Sequence, residues 1–404
     1  MNEGAPDVAE VNYNVFNRDG VYVANILQKA GRADLAAEAI DYFLAHPFNG
    51  RSYPEADNPG QILWIMGEHW RFTRDRAWLK RVYPAAQKLA DMIRCYRTTD
   101  GPHWVQMDAL TFGDTVPADK RRELKPGRCD GHNPAYTEAF DLAGMRAVAS
   151  LAKALGKDKD TTEYDAFAAE LLEKYDRAYG SDLPAKYGSY CVLWPCRLYP
   201  FSESKACDQF KDLGPQKPES WRYFPLARAH QSLLAGNREA GYRTLESHLD
   251  HPQMQRWYAF DEGGKSGSGG WGHLRTTWNG SVAMPHGWAM AEVHLLIRDC
   301  LAYEDSDRLV LFAGIPESWF KNPQGITIRN LPTHFGSLNV SWESTTEGGT
   351  LRLEGKAAPP AGFVLSLPES LNPSVSVGGK TSGQTERGFA LPANAKQARV
   401  EFGP

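Results

Sequence analysis

Residues 260–297 read FDEGGKSGSGGWGHLRTTWNGSVAMPHGWAMAEVHLLI, and this stretch is the most informative part of the chain. Glu262 stands in a glycine-rich loop that also carries Trp271 and Trp278. Glycine lets a backbone turn sharply and approach a ligand closely, and indole rings offer a ligand flat apolar faces. Apolar residues then recur at helical spacing, namely Ala289, Met290, Val293, Leu296 and Ile297. The stretch predicts a ligand-binding loop that leads into a core helix, and the alternative is a surface loop before such a helix.

The composition outside this stretch is that of a large globular protein. The chain has 404 residues, enough for two domains or for one large helical ring with an appendage, and 42% of them are hydrophobic. The formal net charge is only −4, with both signs interspersed, so we expect neither nucleic acid nor a membrane surface as a partner. No apolar run approaches the roughly 18 residues that span a bilayer. Nothing in the sequence indicates the oligomeric state.

The cysteines indicate neither a metal site nor a cofactor. None of the six has CxxC spacing, so we expect no metal, and no cofactor is indicated. Free buried thiols are favoured over a pair between Cys191 and Cys196. The residues from Met1 to Asp7 lack the basic and apolar regions of a signal peptide. This fits a cytoplasmic protein as well as a trimmed periplasmic or secreted one, and the sequence does not separate them.

Up to about Asp305 the chain has the pattern of paired helices. Apolar stripes are separated by short turns within a pair, and by long loops rich in Gly, Pro, His and Trp between pairs. The first stripe runs from Val23 to Ala30 and is followed by Gly31 as a helix C-cap. Nine helices are predicted, four of them before residue 100 and the others at about 134–155, 160–178, 219–235, 237–249 and 284–303. This alternation predicts helical hairpins with one elaborated rim, where function tends to lie.

After Asp305 the spacing of apolar residues changes from helical to alternating. Short runs such as 309–312, 326–328, 337–342, 350–353, 363–367 and 398–402 are separated by Gly, Pro and Asn. This pattern predicts an antiparallel β-sandwich. We therefore divide the chain into a helical region, 1–306, and a β-sandwich domain, 307–404.

The order and spacing of Asp261-Glu262-Gly263 and Met284-Pro285-His286-Gly287-Trp288 resemble the last catalytic loop of the six-hairpin glycoside hydrolases, with local similarity to the inverting glucoamylase family. The resemblance covers nearly the whole chain, but no motif is diagnostic of a substrate. It implies a mainly α fold, an (α/α)6 toroid, with Glu262 as the general base and Trp271, His286 and Trp288 against a carbohydrate. A full toroid has twelve helices. Either helices in the weakly patterned 180–218 region are missed, or the first hairpin lies upstream of Met1.

Two further segments carry the same resemblance, at positions where the family binds its substrate. Arg18-Asp19 lies at the mouth of the first helix, where glucoamylase-like enzymes bind sugar hydroxyls through an Arg-Asp pair. The alternative is that Asp19 only caps the helix. Glu55 and Asp57 lie on the loop before the third helix, and a cap by Asp57 or Asn58 is the alternative there.

The general acid is less sharply indicated. In the six-hairpin families it often lies on the loop before the helix at 134–155, and Asp114 and Asp130 are the candidates on this loop. The families favour glutamate in this role, and the loop offers only Glu123, inside a charge run typical of a solvated surface. The choice between Asp114 and Asp130 stays open.

Glycosidic bonds break through an oxocarbenium-like transition state, so one carboxylic acid protonates the leaving oxygen while a second carboxylate activates water or attacks the sugar. The resemblance implies the inverting form of this chemistry on an oligo- or polysaccharide. Three alternatives remain: a phosphorylase using Lys265 and His273, a lyase using Tyr136 with His132 and Asn133, and a carbohydrate-binding protein without catalysis.

Overall fold

The computed structural model describes residues 4–6, 15–47, 56–98, 134–184, 191–263 and 284–404. Twelve helices lie within these ranges: α1 (Asn17–Lys29), α2 (Ala33–Ala45), α3 (Asn58–Thr73), α4 (Arg76–Thr98), α5 (Pro134–Leu155), α6 (Asp158–Tyr179), α7 (Ser204–Lys211), α8 (Tyr223–Leu234), α9 (Arg238–Leu249), α10 (Pro252–Trp257), α11 (Gly287–Leu301) and α12 (Glu317–Phe320). None of the described helices is both long enough and apolar enough to cross a membrane.

The larger helices pack as hairpins around a closed circuit of contacts. The pairs are α1–α2, α3–α4, α5–α6 and α8–α9, while α3 packs on α1 and α5, and α11 packs on α1 and α8. Residues 191–198 connect α5 to α8: Arg146 of α5 donates to the carbonyls of Arg197 and Leu198, and Gln231 of α8 accepts from the backbone N–H groups of Leu193 and Trp194. A closed circuit of helical hairpins is the principle of the predicted toroid, and the described residues supply four hairpins and α11 of the six hairpins in a full one.

The predicted helical region is confirmed, with two short helices added. The boundaries of α5 and α9 lie within a residue of the prediction. Helix α7 lies in the 180–218 region, where one of the two alternatives placed missed helices, and α10 in the stretch before Glu262 was not predicted. Both are short, and α10 has no buried residue, so neither has a long apolar stripe.

The C-terminal region forms two β-sheets. The strands are β1 (Ala302–Asp305), β2 (Arg308–Leu311), β3 (Ile326–Thr333), β4 (Gly336–Thr345), β5 (Gly348–Gly355), β6 (Phe363–Leu365), β7 (Pro373–Val377), β8 (Lys380–Thr381), β9 (Gln384–Thr385), β10 (Gly388–Leu391) and β11 (Gln397–Phe402). One sheet has the order β1-β2-β6-β10-β9 and the other β3-β4-β5-β11-β7-β8. Apolar side chains of both sheets share one core, among them Leu309, Leu365, Val340 and Trp342.

Two details of this region differ from the predicted antiparallel sandwich. Strands β2 and β6 pair in parallel, because the three strands between them belong to the other sheet and the chain returns in the same direction. A single helical turn, α12, follows Pro316. The division at residue 306 stays a prediction, and β1 begins at Ala302, immediately after α11.

Candidate active site

The candidate site is built on the N-terminal ends of five helices. Helices α1, α3, α5, α8 and α11 form the circuit described above, and almost every predicted site residue that the structure describes lies within a turn of one of their first residues. A helix N-terminus carries a partial positive charge that favours carboxylates. Glycine lets two of these helices approach closely, since a Cβ at Gly60 of α3 would collide with the Phe140 backbone of α5.

Asp19 and His286 bring the first and last of these helices together. The Asp19 carboxylate lies 3.0 Å from Nε2 of His286, which is fully buried. His286 is the N-cap of α11, and its side-chain Nδ1 accepts from the Ala289 N–H at 3.3 Å. The backbone N–H of His286 donates to the Phe260 carbonyl at 2.9 Å. Burial lowers the pKa of His286, but the hydrogen bond and charge of Asp19 outweigh it and raise the pKa above its ordinary value.

Arg18 and Asp57 form a second pair, between α1 and α3. Nε and Nη2 of Arg18 both donate to Oδ2 of Asp57, at 2.8 and 2.7 Å. Gln61, one turn further along α3, donates to the same oxygen at 2.8 Å and lies 3.4 Å from the Tyr136 hydroxyl of α5. The Arg18 guanidinium also lies over the Tyr136 ring, 5.6 Å from its centroid. These bonds fix the Asp57 carboxylate and tie three helix starts together.

The capping alternatives for the two aspartates are not supported. The N-cap of α1 is Phe16, and Asp19 lies inside the first turn. Asp57 occupies the N-cap position of α3 but makes no side-chain cap hydrogen bond. Both carboxylates instead bind side chains of neighbouring helices, as described above.

Glu262 lies beside this group, in a turn held by the two residues immediately before α8. Its carbonyl accepts from the Arg222 N–H at 3.4 Å, Trp221 forms a β-bridge with Gly263, and Nε of Arg222 lies 3.4 Å from Asp261. Gly263 has φ +85°, and a Cβ there would overlap the Ser220 carbonyl, so this turn requires glycine. Glu262 is only 4% exposed, and its charge contributes to the raised pKa of His286.

Trp288 lies beneath the group, within the core. It is 4% exposed and stacks on Tyr223 at a centroid distance of 4.1 Å and on Tyr22 at 5.3 Å. Its indole N–H donates to Oε1 of the buried Glu292 at 3.1 Å. Burial raises the pKa of Glu292 to about 8, although the hydrogen bond from Trp288 acts in the opposite direction. The substrate contact expected of Trp288 stays a prediction.

Several residues named from the sequence lie outside the described ranges. They are Glu55, Asp114, Glu123, Asp130, Trp271 and Trp278, together with Lys265, His273, His132 and Asn133 of the alternative hypotheses. Sequence reasoning gave no site role to Gln61, Arg222 and Tyr223, although each lies at a helix start, which was a usable signal. In the part of the chain that is described, no group of three or more His, Cys, Asp or Glu residues could hold a metal ion.

The described architecture is one that known glycoside hydrolases share. No family model and no curated protein matches the chain, but solved structures do. An α-L-rhamnosidase from Dictyoglumus thermophilum superposes with a TM-score of 0.60 at 11% identity, over 97% of this chain and 46% of that one. A GH78 family rhamnosidase of Bacillus sp. GL1 superposes with a TM-score of 0.54 at 15% identity, over 88% of this chain and 39% of that one. An α-L-rhamnosidase from Aspergillus terreus superposes with a TM-score of 0.53 at 15% identity, over 86% of this chain and 43% of that one.

These matches establish a shared fold. The chain spans less than half the length of each of the three rhamnosidases, and the identities are low throughout. The helical region followed by a C-terminal sheet domain, predicted from the change in periodicity, is therefore an architecture that glycosidases use.

Proposed function

We propose that this chain is a glycoside hydrolase that acts through two carboxylates. The observation that carries the proposal is the placement of Asp19, Asp57 and Glu262. These residues are far apart in the sequence, yet all three lie among helix starts that contact one another, and buried basic or polar partners surround them. A cluster of carboxylates at one end of a glycosidase-like helical body is what acid–base cleavage of a glycosidic bond needs.

Glu262 is our candidate for the general base. It stands on a turn whose backbone is fixed by Arg222 and Trp221, and its carboxylate is close enough to His286 for its charge to raise the pKa of that imidazole. Asp114 or Asp130 would supply the proton to the leaving oxygen. In the inverting form of the reaction the two carboxyl groups stand about 6.5–9.5 Å apart, leaving room for the attacking water.

Arg18, Asp19 and Asp57 are our candidates for binding the sugar hydroxyls. Charge-assisted hydrogen bonds orient a ligand strongly. The Arg18–Asp57 pair and the contact of Asp19 with His286 hold these side chains in place before a substrate arrives. The named activity of the three structural neighbours makes α-L-rhamnosides the first substrates to test. A lyase using Tyr136 is less well supported, because burial raises the pKa of its hydroxyl well above the ordinary value and disfavours the phenolate a base requires.

The test is hydrolysis of a panel of 4-nitrophenyl glycosides that includes the α-L-rhamnoside, with and without phosphate. Glu262→Gln should lower kcat by about 10²–10⁴-fold while KM changes little, because the amide is nearly isosteric and only proton transfer is lost. Glu173→Gln, a change on the exposed face of α6, is the control.

Azide should restore turnover to Glu262→Ala by occupying the vacated position, and NMR of the first product would report its anomeric configuration. Near-full activity of Glu262→Gln would exclude this residue as the base, and turnover only with phosphate would indicate a phosphorylase.

A further inference from the structure

Helix α10 carries an exposed aromatic pair a few residues before Glu262. Trp257, the last residue of the helix, is 60% exposed, and Tyr258, its C-cap, is 83% exposed. Among the described residues these are the most exposed of the large hydrophobic side chains. Tryptophan and tyrosine usually bury most of their area. Two adjacent rings in water therefore indicate a surface that contacts another molecule.

This pair lies at the same end of the helical region as the candidate site. A three-residue turn joins α8 to α9, so the two helices are antiparallel and α9 ends near the start of α8, where Arg222 lies. Helix α10 begins directly after that point. The pKa of His251, its N-cap, is lowered by burial and by the charge of Arg222, and Asp261 acts in the opposite sense. The start of α10 is thus within electrostatic reach of the site.

The backbone holds the pair in a fixed relation to Glu262. The Tyr258 N–H donates to the Met254 carbonyl at 3.0 Å, and the buried Phe260 that follows accepts from the His286 N–H at 2.9 Å. Glu262 is four positions after Tyr258, a span of at most about 14 Å of extended chain. A substrate a few sugar units long would reach from one to the other.

The backbone conformation of Tyr258 is one that glycine adopts more easily than tyrosine. Its φ of 54° and ψ of 30° lie in the left-handed region, where a residue with a Cβ is strained and glycine is not. The ring, almost wholly exposed, makes few packing contacts that would offset this strain. Tyrosine at this position therefore contributes little to the fold.

We propose that Trp257 and Tyr258 bind a sugar ring of an extended glycoside, outside the ring whose bond is cleaved. This inference rests on the proposed function. The C–H face of a sugar stacks on an aromatic ring while its hydroxyls stay in water, which suits an exposed pair. The neighbouring Gln255 and Arg256 are also exposed, so the rings form a small apolar area in polar surroundings. A stable protein interface would need a much larger apolar core.

The test compares an extended and a short substrate in the full chain. Trp257→Ala and Tyr258→Gly each remove one ring, and the glycine also relieves the left-handed strain, so its folding is not at risk. We expect the ratio of kcat/KM for an α-L-rhamnose-terminated tetrasaccharide to that for 4-nitrophenyl α-L-rhamnoside to fall about tenfold, equivalent to about 1.4 kcal/mol. Trp319→Ala, at a half-exposed tryptophan of α12, is the control and should leave the ratio unchanged.

Direct binding separates failure of this inference from failure of the proposed function. Binding of the tetrasaccharide is followed by intrinsic fluorescence, with Tyr258→Gly as the readout because it keeps every tryptophan. In one outcome the wild-type chain binds the tetrasaccharide without hydrolysing it while the variant binds it more weakly. That result would support the proposed sugar-binding role of Trp257 and Tyr258 and contradict the proposed hydrolase activity. If the enzyme is active and the ratio of the two kcat/KM values is unchanged in both variants, the proposed sugar-binding role of Trp257 and Tyr258 is wrong. Conversion of a dimer to a monomer by either variant, with the ratio unchanged, would assign the pair to a protein interface. A chain that neither binds nor cleaves any of these sugars overturns both proposals.

Discussion

Asp19, near the start of the helical region, and His286, near its end, lie 3.0 Å apart at the candidate site. The contact joins α1 to α11, the two helices that complete the circuit of the ring. Because His286 is fully buried, the pair is shielded from competing water. The same interaction therefore contributes to closing the fold and to fixing a carboxylate that we propose contacts the substrate.

We expect Asp19 and His286 to be energetically coupled. In a double-mutant cycle of Asp19→Ala, His286→Ala and the combined variant, the coupling energy should be about 1–3 kcal/mol, because each single change leaves the other polar group buried without its partner. The measurement is urea unfolding followed by circular dichroism. Simple additivity of the two single changes would show that the contact contributes nothing.

Arg18→Lys should weaken substrate binding more than it lowers stability. A lysine cannot reproduce the two donors that Arg18 directs at Oδ2 of Asp57, so that carboxylate would lose its fixed orientation. We expect KM to rise roughly tenfold with a smaller change in kcat. The matched control is Arg32→Lys, because Arg32 also donates through Nε and Nη2 to an aspartate, Asp34, but on the exposed surface. Equal effects of the two substitutions would contradict a site role for Arg18.

Glu292 should make stability fall as the pH rises. Burial raises its folded-state pKa to about 8, above the ordinary 4.5, so the folded chain holds a proton that the unfolded chain releases. The stabilisation is complete below about pH 4.5 and is lost as the pH rises through about 8, by at most about 1.4 kcal/mol per pH unit. Glu292→Gln cannot ionise, so its Tm relative to the wild type should increase between pH 5 and 8. Glu170→Gln, an exposed change on α6, should show no such trend.

Gly263→Ala should impair both stability and activity. A Cβ at this position would overlap the Ser220 carbonyl, so the turn that presents Glu262 must move. Gly156→Ala is the control, because Gly156 also has a positive φ, +73°, but has open space around it. That variant carries only the left-handed strain, about 1 kcal/mol, and should keep its activity. The measurements are the Tm and the turnover of both variants. Equal loss of turnover in the two would contradict the explanation by steric overlap at Gly263.

The junction between the helical region and the sheets should depend on Arg298. This buried side chain at the end of α11 donates to both carboxylate oxygens of Glu304 in β1, at 2.8 and 2.6 Å, and to the Pro332 carbonyl of β3 at 3.0 Å. Arg298→Ala leaves Glu304 buried without its main cation and should cost about 3–5 kcal/mol in the free energy of unfolding. Arg352→Ala, which breaks an exposed pair with Glu343, should cost less than about 1 kcal/mol.

Much of the fold could be predicted because it depends on local periodicity. The stripe that runs through α5 is long and regular, and its boundaries were predicted to the residue. Helix α7 was missed because eight residues with only Ala206, Cys207 and Phe210 buried leave too short a pattern. The parallel pairing of β2 with β6 could not be predicted, since it depends on which sheet the intervening strands join.

The sequence by itself determined the residue types at the site and the helix starts that carry them, because caps, turns and apolar spacing are local properties of the chain. It also predicted the change from helices to strands near Asp305. Only the tertiary structure decided that Asp19 meets His286, that Arg18 binds Asp57, and that Trp288 stacks on Tyr22 of α1 inside the core. Those relationships depend on how separate helices pack, and no local pattern of residues specifies a distance between helices that are far apart in the chain.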